Sequence, residues 1–297
     1  MKKKTGNGNT AFDYFNYMLM IALAIITLYP FLNVLAISLN NSVDTVKGGI
    51  TIYPREFTLM NYIEIIKTKS ILTSVVISVL RTVTGTVTGI VCTGMVAFTI
   101  SRRDFFAKNF VTVLYLITMY VSGGLIPDYM LIRNLHLTNN FMVYILPGLI
   151  SVFNVIVLKS FMDALPYELQ ESAKLDGAND FIIFYKIIFP LCLPAIATLS
   201  LFIAVGQWNS WFDTYLYNGS NKSLTTLQFE LQKILLSAQS SGQQDIYGSS
   251  DMVSQKRISP ESIRMAMTIV ATVPILVVYP FVQKYFMKGL TLGAVKT

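Results

Sequence analysis

Charged residues are scarce in this sequence. Asp, Glu, Lys and Arg make up only 13% of its 297 residues, whereas soluble domains usually carry about 25%. Apolar residues account for 53% of the chain, and its mean hydropathy is +0.55. These values exclude an ordinary soluble domain and indicate a protein whose helices lie in a membrane.

Residues that hold metals or perform redox chemistry are nearly missing as well. Cys92 and Cys192 both lie in apolar context, and the single His136 lies in a polar loop. The sequence therefore favours neither a disulfide framework nor a His/Cys metal cluster. It also lacks the G-x-x-x-x-G-K-[ST] phosphate loop. We accordingly expect no cofactor in this chain and no ATP hydrolysis by it.

The formal net charge is +7. In an apolar chain, such an excess is more typical of Lys and Arg beside membrane spans than of nucleic-acid binding. The basic start, MKKKTGNGNT, is similar to a signal peptide. However, the apolar run from Tyr14 to Leu39 is longer than the roughly 7–15 residues of a signal core. We interpret it as an uncleaved first span.

Six apolar stretches are long enough to cross a membrane, which takes about 20 residues. They cover residues 14–38, 71–100, 107–127, 141–161, 187–208 and 263–286. The predicted fold is an all-α membrane protein with six transmembrane helices. Its domains are an N-terminal cytoplasmic tail, a transmembrane domain and a C-terminal cytoplasmic tail, over residues 1–13, 14–286 and 287–297.

Lys and Arg predict the orientation, because cytoplasmic loops carry an excess of both. The short loops show this excess on the side of the N-terminus, so we expect both termini inside. A long extracellular loop then covers residues 213–262. In it, TTLQFELQKILLSAQ predicts an amphipathic helix and SAQSSGQQDIYGSSD a flexible loop. Residues 57–70 predict a short interfacial helix with Leu59, Tyr62, Ile63 and Ile66 on one face.

Proline and small residues interrupt the apolar runs. Several spans contain Pro, which favours kinked helices around a cavity. The second span carries Gly85, Gly89 and Gly94 among several threonines. Such residues let helices approach closely, so we favour a packing role for them over a role in lining a substrate path.

The densest charge lies in a loop over residues 163–186. Pro166 favours a helix start, and Glu168 and Glu171 suit the positive end of that helix. Gly177 can end it in the left-handed conformation. A second helix then continues into the fifth span and bends at its prolines. The pattern predicts a short polar helix that suits docking to a soluble partner, although an ordinary connecting loop remains the alternative.

The residues of this loop resemble the "EAA" signature of ABC importer permeases. The family pattern is approximately E-A-A-x-x-D-G-A-x(8)-I-x-L-P, and this chain departs from it only at Ser172 and Phe189. In that family the loop forms a coupling helix that sits in a groove of a separate ATPase subunit. The resemblance implies an ATPase-coupling role for Glu168, Glu171, Ser172, Ala173, Asp176, Gly177, Ala178, Phe184 and Pro190.

The resemblance extends over nearly the whole chain. The segments SGGLIPDYMLIRNLHL, VGQWNSWFDTYLY, TLQFELQKIL and VYPFVQKYFMKGLTLGAVKT look like carbohydrate importer permeases of the maltose-transporter second-permease type, in the complex-oligosaccharide branch. It implies the type I ABC importer permease fold in a bacterial cell membrane and a transporter subunit rather than an enzyme. The implied partners are a second permease, two ATPase subunits that bind ATP and Mg²⁺, and an extracellular binding protein that delivers an oligosaccharide. The tail around Gly289–Lys296 would reach the ATPase.

Five residues are candidates for the substrate path. Arg81 lies within the second span, where a charge is costly unless it faces a cavity or a partner, or reaches outward to the interface. The polar candidates at the outer end of the fifth span are Gln207 and Asn209. The aromatic candidates there are Trp208 and Trp211, which stack on sugars in one interpretation and form an interfacial belt in another.

Two other functions remain open. The first is the same machine with a non-sugar cargo, which the ligand of the binding protein would reveal. The second is an ion-coupled secondary transporter. It usually needs an intramembrane Asp, Glu or His relay, and the predicted spans contain none of these residues.

Overall fold

The structure is a computed structural model that describes residues 10–244 and 259–293. Helices dominate these ranges, and one isolated bridge pairs Asn40 with Phe57. The α-helices are α1 Thr10–Ser38, α2 Ser42–Thr45, α3 Met60–Lys67, α4 Lys69–Ser101, α5 Lys108–Tyr120, α6 Leu125–Asn134, α7 Val152–Asp163, α8 Glu168–Leu175, α9 Asp180–Ile182, α10 Phe189–Leu191, α11 Leu193–Asn209, α12 Phe212–Tyr217, α13 Leu227–Gln244 and α14 Pro260–Gly293. A π-helical segment, Ile183–Ile188, connects α9 to α10.

One compact unit comprises, among the described residues, 10–68, 233–244 and 259–272. Its helix α1 is exposed along most of its length, as expected of a helix whose apolar side chains face lipid. After α1 the chain folds around a buried polar network. The Asn61 amide donates to the carbonyls of Ser38 (2.9 Å) and Asn40 (3.0 Å), and Asn40 donates to Asp44 (3.1 Å). Because buried polar groups need partners, this network fixes the segment between α1 and α3.

The second unit comprises, among the described residues, 69–232 and 273–293, with α4 at its centre. This helix has 33 residues and contains no Pro, so its hydrogen-bond ladder is continuous for about 50 Å. It packs against α7 and α11. Ala97, Leu158 and Leu199 are fully buried in the core that these three helices share.

Small residues bring α4 close to its neighbours. A Cβ at Gly85 would lie 2.8 Å from the Gln207 side chain, and a Cβ at Gly94 would lie 2.8 Å from the Phe189 ring. The hydroxyls of Thr84 and Thr88 donate to carbonyls of α4 itself, at 2.6 and 2.7 Å. Close packing therefore accounts for these two glycines, as predicted.

Three described helices are long and apolar enough to cross a membrane alone: Phe12–Ser38, Lys69–Ser101 and Pro260–Pro280. Two bent pairs meet the same criterion together. One is Lys108–Tyr120 with Leu125–Asn134, bent by 117°, and the other is Asp180–Leu191 with Leu193–Asn209, bent by 85°. The described residues thus provide three candidate crossings, or up to five if each bent pair forms one span.

The fourth predicted span is not one continuous helix. A 3-10 turn covers Phe141–Tyr144, and α7 begins only at Val152. Between them lie Pro147, which cannot donate a backbone hydrogen bond, and Gly148. The 12 residues of α7 span about 18 Å, less than the hydrocarbon thickness. Six crossings and an inside position for both termini therefore remain predictions.

The structure confirms the two predicted amphipathic helices and corrects part of one predicted loop. In α3, Ile63 and Ile66 are exposed, while Asn61 and Ile65 are buried. The amphipathic helix α13 begins at Leu227 but continues to Gln244, so the expectation of a flexible loop from residue 237 is wrong up to that point. Ala and Gln in this stretch favour helix continuation.

Parts of three predicted segments lie outside the described residues. They are positions 1–9 of the N-terminal tail, positions 245–251 of the predicted flexible loop, and positions 294–297 of the C-terminal tail. The helix α14 includes the earlier tail residues up to Gly293.

Candidate functional site

The charged loop folds as a short helix that ends in a tight turn. Helix α8 begins after Pro166 and carries Glu168 and Glu171 in its first turn. Gly177 adopts φ +81°, the left-handed conformation that glycine accepts without strain. The Gly177 N–H donates to the Lys174 carbonyl (3.0 Å) and the Ala178 N–H to the Ala173 carbonyl (2.9 Å). This pair of bonds is the Schellman motif, so the sequence correctly predicted both ends of the helix.

The predicted coupling residues fall into two groups. Ala173 and Phe184 are buried in the core, and Ala178 packs against it. The Phe184 ring lies 5.5 Å from Phe98 and 5.3 Å from Phe189. The exposed residues are Glu168, Glu171, Ser172, Asp176, Gly177 and Pro190. The first group fixes the loop to the core, and the second is available to a partner.

An apolar surface accompanies the exposed charges. Leu175, at the last position of α8, is 89% exposed. Beyond the turn, the rings of Phe181 and Tyr185 stack 6.5 Å apart and are 68% and 63% exposed. Large exposed apolar side chains among charged ones are typical of protein–protein contact surfaces.

Ion pairs connect this loop to the end of α4. The buried Arg102 guanidinium lies 2.8 Å from Asp180 and 2.6 Å from Asp104, and the Lys174 ammonium lies 2.8 Å from Asp104. Hydrogen bonds from Arg102, and to a lesser extent from Lys174, hold the pKa of the Asp104 carboxyl well below its usual range. Hydrogen bonding to Asp104 correspondingly raises the pKa of Arg102. Residues on both sides of the Gly177 turn are thereby tied to one helix.

A cavity of about 470 Å³ lies in the same unit, lined by parts of α4, α7 and α11 and by the residues that follow α11. Its polar lining includes Arg81, Tyr144, Asn154, Gln207 and Asp213. Asn154 is 7% exposed and makes no hydrogen bond to another described residue. Its amide is therefore available to a ligand in the cavity.

Arg81 is buried rather than extended to the interface. Its guanidinium forms an ion pair with Asp213 and donates to the Gln207 amide oxygen at 2.9 Å. It also lies over the Tyr144 ring, 4.4 Å from the centroid. The intramembrane charge is therefore compensated within the protein, and the net charge of this pair is zero.

The structure brings together only part of the predicted substrate path. Arg81 and Gln207 line the cavity described above. Trp208 is buried beside a different, smaller cavity next to Pro274. Asn209 accepts a hydrogen bond from Gln228 at 3.0 Å, and Trp211 contacts the rings of Phe212 and Tyr215.

Sequence reasoning did not single out Asp213, Tyr144 or Asn154. Asp213 carried a usable signal, because an arginine inside a span requires a compensating partner and this aspartate lies in the apolar stretch WFDTYLY. Tyr144 and Asn154 carried none, because their arrangement depends on how the chain between α6 and α7 folds.

Helices of membrane-spanning length, an exposed charged loop and an intramembrane cavity define a membrane transport protein. The family model "Binding-protein-dependent transport system inner membrane component" matches residues 85–292. That match covers more than half of the chain, and the chain belongs to this family, whose members are permease subunits of ABC transporters. It is thus a transporter subunit, as the sequence predicted.

Several curated relatives match over almost their full length. The polygalacturonan/rhamnogalacturonan transport system permease protein YtcP of Bacillus subtilis is 40% identical, covering 97% of this chain and 99% of the relative. LplC of the same organism is 36% identical, and the match covers 96% of this chain and 95% of LplC. The arabinooligosaccharides permease AraQ of Halalkalibacterium halodurans is 28% identical, covering 92% and 93%.

A solved structure has the same fold. A chain of a bacterial ABC transporter that imports the acidic polysaccharide alginate superposes with a TM-score of 0.83 at 25% identity, covering 96% of this chain and all of that one. The likeness confirms the helical ABC importer permease fold that the sequence predicted.

Proposed function

We propose that this chain is the permease subunit of an ATP-driven importer that takes up oligosaccharides delivered by an extracellular binding protein. The family match and the saccharide cargo of the relatives support this proposal. The observation that carries it is the exposed helix α8, which ends in a Schellman turn and is linked to the end of α4 by the ion pairs of the buried Arg102 and of Lys174. A loop fixed in this way can transmit a partner's movement to the membrane helices.

The proposed assembly contains a second permease, two ATPase subunits that bind ATP and Mg²⁺, and the binding protein. The ATPase subunits would contact Glu168, Glu171 and the exposed apolar side chain of Leu175. In this assembly the chain crosses the membrane six times, with both termini inside. The likeness to an importer solved with its saccharide-bound periplasmic protein, at a TM-score of 0.57 and 14% identity, supports the fold alone.

Transport would follow from movement of the coupling loop. Closure of the ATPases on ATP shifts α8, and the ion pairs of Arg102 carry that shift to α4. Helix α11 is separated from the loop by a break at Cys192, where the chain bends by 85°. The straight α4 and the broken α11 can therefore move differently, which would open the cavity between them to alternate sides.

The cavity that contains Arg81 and Gln207 is the proposed sugar path. Asn154 offers a free side-chain amide there, whereas the Gln207 amide oxygen accepts a hydrogen bond from Arg81. We propose that Asn209, Trp208 and Trp211 do not contact the sugar directly, since they do not line this cavity.

A co-purification experiment tests the function. The tagged chain is isolated in mild detergent from its native membrane, its partners are identified, and the ATPase activity of the eluate is measured with and without binding protein loaded with saccharide. Oligogalacturonides and arabino-oligosaccharides serve as cargo. Recovery of a second permease and of saccharide-stimulated ATPase activity supports the proposal. A chain that is recovered alone after crosslinking, with ion-driven uptake, contradicts it.

A further inference from the structure

A second cavity, of about 540 Å³, lies where α4 ends and is lined by residues of α4, α5 and α7. Three cationic side chains, Arg103, Lys108 and Lys159, line it together with a single carboxylate, that of Asp163. We propose that this cavity binds the phosphate headgroup of an anionic phospholipid of the cytoplasmic leaflet. The assignment to that leaflet rests on the proposed function, which places the α8 end of α4 inside the cell.

The charges in the cavity are unbalanced. Lys159 forms an ion pair with Asp163 at 2.5 Å. The Arg103 guanidinium lies over the Tyr167 ring, 4.6 Å from its centroid. Neither Arg103 nor Lys108 forms an ion pair with another residue of the described ranges. Two positive charges thus remain for a ligand, and Arg pairs with phosphate through two parallel hydrogen bonds.

Apolar surface adjoins this basic cavity. Ile100 lines it and also lines a neighbouring cavity of about 240 Å³ beside Val96, Val111 and Tyr115. The lining of this 240 Å³ cavity is mostly apolar and can accept an acyl chain. On the same helix α5, the apolar Phe110 is 70% exposed.

The combination identifies an amphiphile. Free phosphate has no apolar part that could cover the adjoining apolar surface. An acidic protein segment would leave that surface exposed to lipid. Basic pockets between transmembrane helices on the cytoplasmic side suit anionic lipid headgroups. Phe106, which is 97% exposed in the loop between α4 and α5, fits the headgroup level where aromatic rings collect.

The experiment compares lipid retention by the complete importer in neutral nanodiscs that contain a minor fraction of phosphatidylglycerol. Native mass spectrometry counts the phosphatidylglycerol bound to each complex. The test variant is Arg103→Gln with Lys108→Gln. The matched control, Lys67→Gln with Lys69→Gln, removes two exposed lysines near the start of α4. We expect the test variant to bind phosphatidylglycerol on the order of tenfold more weakly, and the control to bind it normally.

Three results would overturn the lipid site. In the first, the test variant retains as much phosphatidylglycerol as the unmodified complex. In the second, millimolar inorganic phosphate alone displaces the lipid. In the third, the test variant keeps the lipid but loses the ATPase subunit. Saccharide-stimulated ATPase activity is measured on the same unmodified complex. Normal stimulation without a lipid difference rejects only the lipid site, whereas a complex without stimulation counts against the proposed function.

Discussion

Arg102 and Asp180 form an ion pair at 2.8 Å that joins the end of α4 to the first residue of the helical segment beyond the Gly177 turn. The same arginine also binds Asp104, which in turn binds Lys174 of α8. Both arms of the charged loop are therefore fixed to one long helix. We therefore expect the loop and α4 to move together.

Replacing Arg102 with Gln should uncouple the transporter. Without the guanidinium, Asp104 and Asp180 lose the cation that they share, and α8 can move without α4. We expect uptake and saccharide-stimulated ATPase activity to fall by about five- to tenfold, within the usual range of coupling free energies. The measurement is ATPase activity in proteoliposomes with loaded binding protein. Lys186→Gln, which removes an exposed charge from the same loop, is the control and should retain coupling.

The Asp104 carboxylate should give this cluster a defined pH dependence. Its folded-state pKa lies well below the usual value, so its stabilising contribution is complete above the unfolded pKa of about 4 and is lost as the pH falls further. The thermal midpoint of the purified complex should therefore drop more steeply below pH 4 in the unmodified protein than in Asp104→Asn. Parallel pH profiles of the two proteins would refute a contribution from this ion pair.

Gly177 should tolerate Asn better than Ala. No atom lies within 4 Å of a Cβ at this position, so the cost of a side chain comes only from φ +81°. Ala in the left-handed region costs roughly 1–2 kcal/mol, while Asn visits that region more readily. At equal amounts of protein in the membrane, uptake should be highest with Gly177, lower in Gly177→Asn and lowest in Gly177→Ala. Equal loss in both variants would indicate a requirement for the bare backbone at a partner surface.

We expect the ion pair between Arg81 and Asp213 to contribute more to the stability of the protein than to cargo binding. Asp213→Asn leaves a buried guanidinium without its counter-charge, which costs about 3–5 kcal/mol in buried sites. Asp213 is 22% exposed, so we expect the lower end of that range. Size-exclusion profiles of the solubilised complex measure the folded fraction. The double variant Arg81→Met, Asp213→Leu should recover much of the loss, and failure to recover would indicate a direct role in transport.

Two glycines of α4 provide a matched test of helix packing. In Gly94→Ala the new methyl group would lie 2.8 Å from the Phe189 ring, whereas at Gly89 the nearest atoms lie at an ordinary 3.5 Å. Gly94→Ala should destabilise the protein by roughly 1–3 kcal/mol, and Gly89→Ala should be nearly neutral. Thermal unfolding of the purified complex distinguishes the two. A lower uptake with unchanged stability at Gly94 would favour a role in the substrate path.

The sequence by itself determined the membrane class, the family and the local structure of the charged loop. These follow from composition and from short-range rules: apolar runs of membrane length, a proline before a helix, and a glycine at the position where the turn after α8 has a positive φ. Fixed spacing between Glu171, Gly177 and Pro190 carried the resemblance to ABC importer permeases.

Only the tertiary structure decided which residues meet across the chain. Arg81 meets Asp213, 132 positions away, because α4 packs against α11, which ends shortly before Asp213. Arg102 meets Asp180 because Phe98 and Ile100 of α4 share a core with Ile183 and Phe184, which follow Asp180. The same packing places Arg81 and Gln207 in one cavity and directs Trp208 elsewhere. The break after the 3-10 turn at residues 141–144 could likewise not be predicted from the sequence. An apolar run has the same composition whether it forms one continuous helix or is interrupted by a turn. Periodicity specifies which face of a helix is apolar, but long-range packing specifies what that face contacts.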